Sequence, residues 1–278
     1  MKTICPVCMH HCQLAEGQVG RCRGRQNQGG KILPINAGVI TALALDAIEK
    51  KPLRHFHPGS HILSVGSFGC NLHCPFCQNA RIAMAGRRDV EAMILSSEEL
   101  ARRAEGMRHQ GNIGLAFTYN EPLIGYEFVV ETARLVQARG MKTVLVTNGS
   151  ATPETTRKVL PHIDALNIDL KGFTQEVYEK LGGTLEVVKA FITQAVDAGC
   201  HVELTTLVVP GFNDDPGEME AMARWIAHLS PDIPLHVTRF FPAHLMWRDN
   251  PTPLERVYGL AEVARGSLNS VYEGNIGL

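Results

Sequence analysis

At 278 residues and 45% hydrophobic content, the chain has the length of one α/β barrel domain and enough apolar residues for a large core. Its formal net charge of −1 supplies no general basic field, which argues against nucleic acid and against an anionic membrane as partners. No run approaches the roughly 18 apolar residues of a membrane span, and Met1-Lys2-Thr3-Ile4-Cys5 reaches a cysteine without an apolar signal core, so a soluble cytoplasmic protein is expected.

Residues 1 to about 60 differ in character from the rest. They carry Cys5, Cys8, Cys12 and Cys22, spaced C-x2-C-x3-C-x9-C, with Gly17, Gly20, Gly24, Gly29 and Gly30 and little helical period. Lys31 to Leu45 is expected to form a hairpin-like pair of strands. So short a segment rarely folds without a staple, and in a reducing compartment eight cysteines argue for metal ligation over disulfides. Four thiols close a tetrahedral zinc site or an iron–sulfur cluster, and His10 or His11 is a candidate to replace one of them. A mainly structural second metal, zinc or iron–sulfur, is favoured here over a second redox cluster.

From residue 61 to 278 short apolar runs alternate with amphipathic stretches. Strands are predicted at 62–65, 114–118, 143–147, 165–170, 202–209 and 235–241. Helices are predicted at 97–109, 124–139, 153–160, 185–198, 216–229 and 253–265. Their ends carry the expected punctuation: Ser96 or Ser97 as a cap with Glu98 and Glu99 in the first turn, Pro153 near a first turn, Gly140 after a last turn. Six strand–helix units argue for parallel strands with helices outside, and the length suits an open, partial (β/α)6 barrel. Cys200, alone before an apolar run, reads as a small buried hydrophobe.

Chemistry concentrates at Cys70-Asn-Leu-His-Cys74-Pro-Phe-Cys77, which spaces three thiols C-x3-C-x2-C immediately after the first barrel strand. Thiolates suit iron–sulfur clusters and zinc. A closed site takes four protein ligands; three thiols on a four-iron cluster leave one iron open for reaction. The alternative is a Cys3His zinc site using His73 or a distant histidine. Because barrel catalysis occurs at the carboxyl ends of the strands, the position favours chemistry.

This motif, with an aromatic at Phe76, resembles the signature of radical S-adenosylmethionine (SAM) enzymes. Thr118-Tyr119-Asn120-Glu121-Pro122, Thr147-Asn148-Gly149, Asn167-Ile168-Asp169-Leu170-Lys171 and Pro210-Gly211-Phe212-Asn213-Asp214 are similar to segments of the activating enzymes of glycyl-radical enzymes. The cysteine-rich start, the Tyr-Asn-Glu-Pro turn and the His236 to Pro242 segment resemble the radical SAM component of the AmmeMemoRadiSam system more closely. The resemblance implies a radical SAM type of barrel in which Cys70, Cys74 and Cys77 hold a 4Fe–4S cluster. Its open iron binds SAM, one electron splits the sulfonium, and a 5′-deoxyadenosyl radical abstracts hydrogen from a substrate.

The same resemblance implies cofactor contacts from Phe76, Asn120, Glu121, Asn148, Asp169, Lys171 and His236. Glu121 would accept from the SAM ammonium, Lys171 would balance its carboxylate, and Asp169 would take the ribose or the methionine part. A surface ion pair is the plainer reading of Asp169 and Lys171. His236 and Arg239, three apart on one strand, face opposite sides, so at most one of them lines a site. A flavodoxin or ferredoxin is implied as electron donor, and a protein glycine as substrate. Hydrogen abstraction from a small molecule or an RNA base is the alternative within the enzyme class, and a non-catalytic zinc-binding scaffold the alternative outside it. Two departures stand out: pyruvate formate-lyase activating enzymes have Gly-Gly-Glu where this chain has Tyr119-Asn120-Glu121, and an aspartate that helps hold a cation where this chain has Val146.

Overall fold

The computed structural model describes residues 2–277; Met1 and Leu278, the outer ends of the two expected segments, lie outside the described residues. The amino-terminal segment is built from short pieces. Strand β1 (Thr3–Ile4) pairs antiparallel with β2 (Gln13–Leu14), and β3 (Arg25–Gln28) forms a hairpin with β4 (Lys31–Pro34). The expected pairing within Lys31 to Leu45 does not occur. Strand β4 turns back onto β3 through Gly29-Gly30, where both residues have positive φ, while β5 (Val39–Ile40) pairs with the distant β8 (Met93–Ile94). Strand β6 (Ala42–Ala47), also inside the expected amino-terminal lobe, runs antiparallel along β7 (His61–Gly66) and so joins the main sheet.

That sheet has the order β14-β13-β12-β11-β10-β9-β7-β6. Strands β7, β9 (Asn112–Phe117), β10 (Lys142–Thr147), β11 (Ala165–Asp169), β12 (His201–Val208) and β13 (Leu235–Arg239) are the six expected ones, and all are parallel. A seventh parallel strand, β14 (Val271–Gly274), follows the last helix and was not expected; its four residues are too short to show a period. The two end strands do not pair, so the barrel is open.

The helices lie where the caps predict. After the one-turn α1 (Ala80–Ala83) come α2 (Ser97–Gly106), α3 (Tyr126–Ala138), α4 (Pro153–Val159), α5 (Gln175–Leu181), α6 (Leu185–Asp197), α7 (Pro216–Leu229) and α8 (Leu254–Arg265). Helix α2 opens with a full capping box between Ser96 and Glu99 and ends at Gly106; the short 3-10 turn that follows, Arg108–Gln110, is closed by Gly111 in a left-handed conformation. Helix α5 was missed for its brevity. Among the described residues no helix is long and apolar enough to cross a membrane.

Strand alternation divides the core. Outward residues such as Leu63, Leu115, Phe117, Leu166, Ile168, Leu204 and Val237 pack against the helices in one large cluster. Inward residues Ile62, Ala116, Val144 and Ala165 pack on Ile48, Leu53 and Phe56, so the segment entering β7 plugs the amino-terminal end of the barrel. Above the plug lies a polar layer: Asn167 donates to the Pro52 carbonyl at 2.9 Å and accepts from the Thr205 hydroxyl at 3.0 Å. The barrel is therefore closed below and free for chemistry only at the carboxyl ends of its strands.

Candidate active site

At that face a cleft of about 360 Å³ is lined by Cys70, Cys74, Cys77, Phe76, Asn120, Glu121, Asn148, Asp169 and Lys171, with Tyr119, Thr205, Thr238 and Asn275 beside them. Every expected cluster and cofactor residue except His236 thus meets in one cavity, although they come from four different strand ends.

The cysteine loop leaves β7 through Gly69, whose φ of +87° no side chain tolerates easily. Its Cys70 sulfur accepts from the Leu72 backbone N–H at 3.4 Å and faces the Asn148 amide nitrogen at 3.6 Å. Leu72, Cys74 and Phe76 pack into a small apolar cluster with Val177, Leu181, Val209 and Phe240, and the Phe76 ring meets Phe212 edge-on at 5.4 Å. Burial pushes Cys70 and Cys77 above the usual thiol range and Cys74 up to about 11. Such thiols stay protonated at neutral pH until a metal stabilises their thiolates and releases the protons.

Among the described residues, no three Cys, His, Asp or Glu side chains converge as tightly as a single metal ion demands. A cubane makes a different demand, since each thiolate ligates a separate iron and the sulfurs stand farther apart. One buried and two half-buried thiols, N–H donors aimed at one of them and an open cavity fit a cluster with one free iron. His73, the alternative fourth ligand, does not line the cleft; burial foremost, and then Arg23 and Arg21, lower its pKa.

Behind the thiols Glu121 is buried, and its carboxylate accepts from the Leu123 N–H at 2.9 Å, the Thr147 hydroxyl at 2.7 Å and the Asn148 N–H at 2.8 Å. Burial raises its pKa to about 7 against those three donors. Its first task is to hold the Thr147-Asn148-Gly149 turn against the cysteine loop. Asn120, beside it, grips the entry of the cysteine loop, accepting from the Ser67 N–H at 2.9 Å and donating to the carbonyls of Phe68 and Gly69. Asp169 and Lys171 form a 2.9 Å ion pair at the mouth of β11. Burial disfavours the Lys171 charge, but Asp169 and the nearby Cys74 thiol outweigh it and raise its pKa.

His236 sits elsewhere. Register puts it opposite Thr205 and Tyr272 near the start of β13, where its Nε2–H donates to Glu203 at 2.7 Å and its ring stacks on Tyr272. Strand alternation does turn it inward, but toward the plug at the far end of the barrel. Sequence reasoning missed a second polar group at the cleft edge: Asp46 accepts from both Lys51 and the Tyr119 hydroxyl at 2.8 Å. Despite burial, these two partners hold Asp46 down to about 2. Nothing in the spacing of Asp46, Lys51 and Tyr119 announces this.

The other four cysteines do not reach the cleft. The β1–β2 pairing sets Cys5 beside Cys12, with the Cys5 N–H donating to the Cys12 carbonyl at 2.9 Å. Burial pushes Cys5 and Cys22 above the usual thiol range and Cys8 up to about 12. Neighbouring thiols of the set add to this, and backbone N–H donors two residues on, at Val7, His10 and Gly24, oppose it. His10 is already used, its Nε2–H donating to the Asn71 carbonyl at 2.8 Å.

Known proteins agree with this architecture. Residues 64–226 match the profile of the Radical SAM superfamily. An uncharacterized protein of Methanocaldococcus jannaschii is 35% identical over 282 residues, covering 99% of this chain and 82% of that protein. The isethionate sulfite-lyase activating enzyme of Desulfovibrio desulfuricans is 29% identical over 146 residues, 50% of this chain, and the match spans 46% of that enzyme, about half its length. In fold, a radical SAM methyltransferase from Sphaerobacter thermophilus superposes with a TM-score of 0.61 at 17% identity, over 80% of this chain and 68% of that one. With its profile matched over more than half of its residues, the chain belongs to the radical SAM superfamily, a family that binds SAM and a 4Fe–4S cluster.

Proposed function

We propose that Cys70, Cys74 and Cys77 ligate the 4Fe–4S cluster of a SAM-cleaving enzyme that abstracts hydrogen from a group presented by a protein, in the manner of a glycyl-radical activating enzyme. The observation that carries this reading is the meeting of three thiols and the Asp169–Lys171 pair in one cleft at the carboxyl ends of the strands. When bound, cluster and SAM supply, on one-electron reduction, a 5′-deoxyadenosyl radical that takes a hydrogen atom from the substrate. Lys171 meets the SAM carboxylate, and Asp169 keeps that ammonium oriented. Glu121 fixes the Asn148 turn and keeps acceptor capacity on Oε2, which already takes the Asn148 N–H, for the SAM ammonium. Asn148 steadies the Cys70 sulfur.

The size of the cleft supports a large substrate. A cavity of about 360 Å³ is at the low end of the roughly 300–1,000 Å³ that encloses one drug-sized ligand. SAM itself is such a ligand, which favours a hydrogen donor that reaches in from the mouth, as a protruding polypeptide segment does. The activating-enzyme relative supports the same class of substrate. The four amino-terminal cysteines hold a second, separate metal centre, for which thiols that do not converge on one point favour an iron–sulfur cluster over a single zinc ion, with a flavodoxin or ferredoxin as the source of the electron.

Anaerobic reconstitution followed by chemical reduction with dithionite in the presence of SAM tests the reading: 5′-deoxyadenosine forms, and with deuterated candidate protein it carries deuterium. Absence of 5′-deoxyadenosine from protein with a full cluster refutes it. Transfer of deuterium from a small metabolite instead refutes the protein substrate alone. Lys171→Ala tests the SAM contact. A hydrogen bond to a charged group contributes about 1.5–3 kcal/mol, so SAM binds about ten- to a hundredfold more weakly, each 1.4 kcal/mol being tenfold. Titration of SAM into cluster-loaded variant reads this directly, and unchanged affinity refutes the contact.

A further inference from the structure

Cys70 is gripped from both neighbouring residues by the amino-terminal thiol set. On one side, Gly69 packs so closely on the Cys22 carbonyl that a Cβ at Gly69 would lie 2.4 Å from that oxygen. On the other side, Asn71 is 1% exposed, and its backbone carbonyl accepts from His10, two residues after Cys8. Its side chain faces the Cys8 thiol, donates to the Ser150 carbonyl at 2.8 Å and accepts from the Asn148 amide at 2.9 Å. That same Asn148 nitrogen faces the Cys70 sulfur at 3.6 Å. A continuous polar path therefore runs from His10, two residues after Cys8, through Asn71 and Asn148 to Cys70. None of this is needed to attach the lobe: Arg25 already does so with a two-pronged pair to Glu127 and a bond to the Ile124 carbonyl.

We infer that Asn71 is a positioning residue that couples the two cysteine sets, so that metal bound by Cys5, Cys8, Cys12 and Cys22 sets the geometry and reduction potential of the cluster on Cys70. The inference rests on the reading that both sets bind metal. Its physical basis is that cluster potentials respond to hydrogen bonds at the ligating sulfurs and to the groups that orient those donors. Removing the Asn71 amide frees Asn148 to rotate away from the Cys70 sulfur. Losing metal at Cys8 and Cys22 loosens both residues that flank Cys70.

The experiment compares reconstituted wild-type enzyme, Asn71→Ala and Thr152→Val. The last removes a hydroxyl that donates to the Pro6 carbonyl at 2.7 Å, on the same knuckle but away from Cys70. Iron, zinc and sulfide content are measured in each, and the SAM cluster's midpoint potential and electron paramagnetic g-values are read by potentiometric titration. Asn71→Ala keeps both metal loads and shifts potential and g-values, whereas Thr152→Val matches wild type. Wild-type values in fully loaded Asn71→Ala overturn the coupling while leaving both metal sites standing. Should Asn71→Ala lose iron, Cys22→Ser carries the test: with the amino-terminal metal gone and the SAM cluster retained, an unchanged potential overturns the coupling. Wild-type protein with metal on only one set overturns the reading beneath it.

Discussion

Replacing any one of Cys70, Cys74 or Cys77 by Ala abolishes 5′-deoxyadenosine formation, the largest effect on activity expected of any substitution in this chain. Two thiols hold a cubane poorly, and the cleft has no other cysteine to step in. Cys200 lies at the opposite end of the sheet, next to the start of β12, with its thiol directed at the carbonyls of Ile163 and Leu160. The amino-terminal cysteines are on the far side of Asn71. Leu72 and Phe76 keep their places in the apolar cluster under the loop in each variant, so the variants are expected to remain folded. Iron analysis together with chromatographic measurement of 5′-deoxyadenosine checks this, and a fully active Cys74→Ala refutes the ligand assignment.

The largest effect on stability is expected far from the chemistry, at Glu203. This fully buried carboxylate takes four donors: the backbone N–H groups of Arg54 at 2.9 Å and His55 at 2.7 Å, His201 at 2.9 Å and His236 at 2.7 Å. It ties the plug segment to β12 and β13 across the floor of the barrel. Glu203→Ala strands all four donors, and breaking a buried charge-assisted network of this kind costs about 3–5 kcal/mol. At about 2–4 °C per kcal/mol the melting temperature falls by roughly 6–20 °C. Because the cleft is at the other end, SAM cleavage below that temperature persists. A melting temperature within a degree or two of wild type refutes the latch.

The same carboxylate makes a pH prediction. Burial alone would raise its pKa, but His201, His236 and the two backbone donors hold it down to about 2. A carboxylate with a depressed folded pKa stabilises fully above its unfolded value of about 4.3. That contribution is lost as pH falls from there through about 2, since the unfolded chain then binds the proton more readily. Melts taken between about pH 5 and pH 2 show this loss in wild type and a flatter profile in Glu203→Gln.

Much of this protein is legible in its residues alone. The six strands with their five longer helices and α4 follow from alternation, caps and glycine stops, which are local and depend on neighbours within one turn or strand. The C-x3-C-x2-C loop also declares itself, because three thiols need short spacing to share one cluster. Tertiary structure decided the rest through contacts between residues far apart in the chain. Strand β6 reads as part of a separate lobe until its pairing with β7 places it at the sheet edge. His236 carries the same inward periodicity as Thr238, and only its hydrogen bond to Glu203 assigns it to the floor and not the cleft. Glu121 stands at a strand end like any ligand, yet Thr147 and Asn148, from the next strand, make it first a brace. The grip of Cys22 and Cys8 on either side of Cys70 spans about fifty residues or more of sequence. Periodicity reports which side of an element is buried; it carries no information about what lies on the other side of that contact, and at this site that partner determines the role.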